Sequence, residues 1–169
     1  MKMSDTRQIA APRAQVWAAI QDADVLKACV PGCTEMTGDA ASGFDAVVTQ
    51  KVGPVKATFK GRVEMTDMTA PASLRLSGEG KGGAAGFAKG GADVRLEDSD
   101  GGTLLHYDVE ASVGGKLAQL GSRIIDGFAK KMADQFFDNF QRAVEGPPDV
   151  DAAEATPVEK KGWLKRITG

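Results

Sequence analysis

The sequence predicts an α+β fold: a bent antiparallel sheet of about seven strands around one long C-terminal helix, with two short helices after the first strand. Three observations carry this. From Thr34 to Gly114 apolar and polar residues alternate with a period of two, broken at intervals by turn residues. After Val113 the period changes, and apolar residues recur at 117, 120, 124, 128, 132, 136, 140 and 144. Before Thr34, two helix-start signals follow a short strand-like segment.

That first segment, residues 3 to 10, alternates in the manner of a strand. Pro12 fits the opening turn of a helix, where its missing N–H costs nothing, and PRAQVWAAIQ then sets Val16, Trp17 and Ile20 on one side. Asp22 caps a second short helix, DADVLKAC, ended by Pro31-Gly32. In VKATFKGRVEM the residues Val55, Ala57, Phe59, Gly61, Val63 and Met65 face one way, while Lys56, Thr58, Lys60, Arg62 and Glu64 face the other. In TLLHYDVEASV, Thr103, Leu105, Tyr107, Val109, Ala111 and Val113 take the inner side. Turns fall at 41–43, Gly53-Pro54, Ala70-Pro71 and 100–102, so hairpin follows hairpin in a meander. Gly114-Gly115 breaks the last strand and launches the long helix, which Gly146-Pro147-Pro148 ends. This order of elements gives a helix-grip arrangement. Its small inner residues, Ala46, Ala57, Gly61, Ala111 and the glycines between 78 and 91, cannot fill the space beneath such a sheet, so an apolar cavity is expected.

At 169 residues the chain holds one ordinary core, and its formal charge of −2 and pI near 5.5 speak against a nucleic-acid partner. The N-terminus has no apolar signal region and no window is long and apolar enough to span a bilayer, which makes the cytoplasm the expected compartment. Cys29 and Cys33, in CVPGC, read as reduced thiols at a turn, because zinc would need two further ligands and His106 is the single histidine.

Residues 1–146 thus form one domain. Residues 147–159, with four acids, small residues and proline, read as a flexible linker. Residues 160–169, KKGWLKRITG, are a basic amphipathic tail. As a helix it sets Trp163, Leu164 and Ile167 on one face, with Lys161 and Lys165 opposite, Arg166 at the edge and Lys160 free to snorkel. Each basic group near an anionic leaflet is worth roughly 1 kcal/mol, so the expected attachment is weak and reversible.

Catalytic signatures are missing from the sequence. It holds no GxSxG, no HExxH and no Cys/His pair with a third orienting group. Glu64, Asp93, Glu97, Asp108 and Glu110 fall on outward positions or turns, as does His106. For a helix-grip enzyme, Tyr107 with Ser77 or Thr103 are the candidate polar groups. GEGKGG at 78–83 matches a dinucleotide pattern by letter, but a strand follows it where a helix is required. The same glycines suit either a flap over a cavity mouth or a plain hairpin.

The blocks PRAQVW, LKACVPGC, VGPVKATFKG, GEGKGGAAGFAKG, VGGKLAQLGSR and FFDNF resemble the carbon monoxide dehydrogenase G-subunit family, over about residues 3 to 142. The resemblance implies a non-catalytic accessory protein with no resident cofactor, holding a quinone- or lipid-like molecule in the grip. It also implies a partner, a molybdenum hydroxylase such as aerobic carbon monoxide dehydrogenase, recruited to the inner face of the cytoplasmic membrane. An assembly factor with an empty cavity is the alternative. The expected lining is Trp17, Phe44, Val48, Phe59, Val63, Phe87, Leu105, Tyr107, Leu120, Ile124 and Phe128. The expected membrane contacts are Lys160, Lys161, Trp163, Leu164, Lys165, Arg166 and Ile167.

Overall fold

The structure is a computed structural model and describes residues 1–146; the linker at 147–159 and the tail at 160–169 lie outside the described residues. Its elements are β1 (Lys2–Ile9), α1 (Arg13–Ile20), α2 (Ala23–Cys29), β2 (Cys33–Asp39), β3 (Gly43–Val52), β4 (Val55–Thr69), β5 (Ser73–Lys81), β6 (Phe87–Ser99), β7 (Gly102–Gly114) and α3 (Ser122–Glu145). All strand pairs are antiparallel, and the sheet order is β1-β7-β6-β5-β4-β3-β2. Strands β2 to β7 form an unbroken meander. Only β1 is out of sequence, because α1 and α2 carry the chain from one sheet edge to the other.

Local chemistry sets these boundaries. Pro12 stands at the N-cap of α1, where its carbonyl accepts from the Val16 N–H at 3.1 Å. The Asp22 carboxylate accepts from the Asp24 and Val25 N–H groups at 2.8 and 3.3 Å, the arrangement that makes Asp a favoured N-cap.

The long helix begins later than its periodicity implies. Gly114-Gly115 leads into a 3₁₀ segment, Gly115–Leu120, and Gly121 at φ 91° redirects the chain before α3 starts at Ser122. Leu117 and Leu120 therefore sit on a different element from Ile124 and Phe128.

The core occupies one half of the molecule. Ile9, Val16, Ile20, Phe44, Leu105, Tyr107 and Phe140 are sealed there, under α1, α2 and the second half of α3. The Phe137 ring stacks on Tyr107 with centroids 4.0 Å apart, and Phe136 meets Phe137 edge-on. A set of polar ties fixes the same half. Arg7 pairs with Asp138, Asn139 Nδ2 donates to the Cys29 carbonyl at 3.0 Å, Gln141 Nε2 to the Gln8 carbonyl at 3.0 Å, and the Ala10 N–H to Glu145 at 2.8 Å. Among the described residues, every side-chain hydrogen bond from α3 to another element involves residues 134–145. The first half of α3 is held by apolar contact alone.

Candidate functional site: an apolar recess beneath the helix

The sheet register fixes which side chains face α3. Across the middle of the inner face one row reads Ala46, Gly61, Gly80, Ala88 and Val113, and the next reads Phe44, Val63, Gly78, Gly90 and Ala111. Alanine and glycine dominate both rows, so the floor has almost no side-chain volume over β4, β5 and β6. Val48 and Phe59 face each other on β3 and β4 and form a wall towards the hairpin tips. The Phe59 ring leans over Gly82, where a Cβ would come within 2.6 Å of it. Opposite, the Gly53 turn lies against Ile124 and Leu120, which brings the start of α3 over the β3–β4 hairpin.

This half does not close as the other does. Val48, Phe59, Val113, Leu120 and Phe128 are only half-buried, and Ile124 is 41% exposed although it belongs to the apolar stripe of α3. Inward-facing apolar side chains that keep contact with solvent mark an open recess rather than a packed core. The recess floor is made of the small residues expected from the sequence. What the sequence did not resolve is which glycines face inward: Gly61, Gly78, Gly80 and Gly90 do, whereas Gly91 faces out.

The expected lining divides accordingly. Val48 and Phe59 face each other on the inner side, Leu120 and Ile124 lie over the Gly53 turn, and Phe128 is half-buried on α3. Phe44, Leu105 and Tyr107 are at most 1% exposed and belong to the closed core, and Trp17 and Val63 pack against that core. Phe87 is a correction. Its register partners Lys81 and Gly114 lie on the outward face, and its ring covers Gly114 there at 41% exposure. The seven tail residues from Lys160 to Ile167 lie outside the described residues.

The polar groups expected of an enzyme are not brought together. The Thr103 hydroxyl donates to the Ala11 carbonyl at 2.7 Å, and Ser77 faces outward opposite Glu64. Among the described residues the buried Tyr107 hydroxyl has no hydrogen-bond partner, and burial pushes its pKa above the ordinary phenol value. His106 is outward-facing and meets Glu97 at 2.9 Å, a contact that holds the Glu97 carboxyl below its usual range. Burial pushes the Cys29 thiol up to about 11, while Cys33 is half-buried and hydrogen-bonds to the Glu35 carbonyl at 3.2 Å. Of the two readings of the glycine loop, the hairpin is what forms: β5 and β6 pair to Lys81–Phe87 around a short 3₁₀ turn, Gly83–Ala85. A separate open groove of about 610 Å³ on the outer face is lined by charged side chains among small residues, and Arg62 and Arg75 within it are each held by two carboxylates.

A bent antiparallel sheet gripping one long helix over an apolar recess defines a helix-grip protein. The sequence narrows this further: residues 6–145 match the model of the carbon monoxide dehydrogenase G-subunit (CoxG) family, and the chain belongs to that family. Membership places it among non-catalytic, ligand-binding accessory proteins. Among solved structures it is similar to a conserved protein from Geobacillus kaustophilus, with 27% identity, a TM-score of 0.78, and coverage of 85% of this chain and 95% of that one. An uncharacterized protein from Rhizobium leguminosarum (16% identity, TM-score 0.67, coverage 86% and 94%) shares the fold. So does a protein from Thermus thermophilus (13% identity, TM-score 0.63, coverage 85% and 97%). No curated protein matches the chain. No helix among the described residues is long and apolar enough to cross a membrane.

Proposed function

We propose that this chain holds a quinone- or lipid-like molecule in the recess and serves a molybdenum hydroxylase of the carbon monoxide dehydrogenase type at the cytoplasmic membrane. The observation that carries the ligand is the recess itself. A floor of Gly61, Gly80, Ala88 and Ala111 faces a wall of Phe59, Val48 and Val113, and the half-helix above it makes no polar tie. Such a space suits a flat or chain-like apolar molecule, whose burial yields about 25 cal/mol per Å². The hydroxylase partner and the membrane site come from family membership, and the basic tail supports the latter.

The test is direct. Gently purified full-length protein is extracted with organic solvent, and the extract is analysed by mass spectrometry, then again after incubation with menaquinone and ubiquinone. A stoichiometric apolar molecule is the expected result. Gly80→Leu supplies the control: a Cβ at Gly80 meets nothing closer than 3.5 Å, so the larger side chain enters the recess without moving the strand. This variant folds and comes out empty. A wild-type extract that stays empty under both conditions overturns the ligand assignment.

A further inference from the structure

The outward face of the sheet is divided in its electrostatics. In the middle, Arg62 contacts Asp45 and Glu64, and Arg75 contacts Asp93 and Glu110, so each guanidinium is neutralised in place. Towards the hairpin tips the pattern changes. Lys51 lies directly opposite Lys56, and Lys60 directly opposite Lys81, while Lys89 on β6 stands in the row of Arg62, directly opposite Glu79. All five are exposed, and among the described residues none takes part in an ion pair; Glu79 and Glu35 are the carboxylates that share this end of the outer face. Like charges directly opposite one another destabilise a sheet, and two such pairs stand near each other here. Phe87 sits in the same row as Lys60 and Lys81, between Lys81 and Gly114 with its exposed ring over Gly114, and Ile124 is exposed on the helix side of the same end.

We infer that this end of the folded domain docks on an anionic lipid surface, with Lys51, Lys56, Lys60, Lys81 and Lys89 against the headgroups and Phe87 at the interface. The type of cation argues for lipid over a protein partner. Protein interfaces favour arginine and exclude lysine from their centres. A diffuse layer of headgroups needs no fixed geometry, and a lysine on its long stem serves it well while an aromatic ring settles at the boundary. The half-buried Val48, Phe59 and Leu120 and the exposed Ile124 lie at this same end, where the start of α3 meets the β3–β4 turn. Docking there lets an apolar ligand pass between bilayer and recess without crossing water. That passage rests on the proposed ligand; the docking itself does not.

The test uses the full chain with Lys160, Lys161, Lys165 and Arg166 replaced by Ser, which removes the tail's charge. Binding is measured to phosphatidylcholine vesicles with and without phosphatidylglycerol. The expected result is salt-sensitive binding to the anionic vesicles alone. Lys51→Ser, Lys56→Ser, Lys60→Ser and Lys81→Ser together then weaken it at least about ten-fold, whereas the four Lys→Arg changes preserve it. Phe87→Ser weakens it further. Solvent extraction of each variant reports the ligand separately, so a chain that keeps its ligand but loses the vesicles distinguishes the two readings. Tail-neutralised protein that ignores anionic vesicles, or serine variants that bind as before, overturns the inference. Binding of this lysine surface to an acidic protein, with vesicle binding unaffected by the serine changes, overturns it in favour of a protein interface.

Discussion

Cys29 shows how a single buried group writes itself into the stability of the whole chain. It is fully buried at the C-terminal end of α2, and burial raises its thiol from an ordinary value of 9.0 to about 11. The neutral thiol is the form the fold accepts, so its contribution is fully present below pH 9 and is lost as pH rises towards 11. The loss amounts to roughly 2 kcal/mol, since one pKa unit corresponds to about 1.4 kcal/mol. Urea unfolding below pH 9 and near pH 11 checks this. Wild type weakens across that window more than Cys29→Ala does, and equal slopes for the two proteins remove the assignment. Alkylation gives the same answer by rate, with Cys33 modified first. The sequence could say that both thiols are reduced at a turn. It could not rank them, because burial depends on α3 arriving overhead, with Asn139 bonded to the Cys29 carbonyl. The lysine pairs were more legible than they looked. In KVGPVK the two-residue turn Gly53-Pro54 forces Lys51 opposite Lys56, so the like-charge contact follows from spacing alone.

Helix α3 is one element with two kinds of attachment. Phe137, Phe140 and Val144 are buried, and residues 134–145 carry its polar ties to β1, α1 and α2. Residues 122–133 have neither. Phe140→Ala should therefore cost about 3–5 kcal/mol, the usual range for a sealed aromatic, because the surrounding core cannot collapse onto the space. Ile124→Ala should change the stability of the ligand-free protein by less than about 1 kcal/mol while weakening ligand retention, since it removes surface that solvent already reaches. Denaturant midpoints for both variants decide the matter, and similar losses would mean that the helix is uniformly packed. The sequence stripe reads as uniform because a 3₁₀ segment repeats every three residues. Leu117 and Leu120 at that spacing continue a helical rhythm across Gly121, although the chain changes direction there. Only a glycine at positive φ betrays the break, and a glycine doublet shortly before it offers the same signal.

At the scale of the molecule, the fold sets a rigid half against a yielding one. The strand order and hairpins followed from alternation and turn residues, because each strand pairs with its chain neighbour and only β1 travels. The recess was partly hidden, since a glycine gives no sign of which face it leaves empty until the register is fixed. Its position has a dynamic consequence. A ligand in the recess touches the floor of the sheet and the unanchored half of α3 together, so it supplies the contacts that residues 122–133 lack. Amide exchange in that half should be fast in the empty protein and slow by the factor that binding imposes, 1 + [L]/Kd. Residues 134–145 should exchange slowly in both states, because their protection reports global unfolding. Hydrogen exchange read by mass spectrometry, with and without menaquinone, separates the two segments. Slowing confined to 122–133 and the β3–β4 hairpin identifies α3 as a lid closed by its cargo. Uniform slowing along α3 means that the ligand stabilises the fold as a whole, and that the two halves open together.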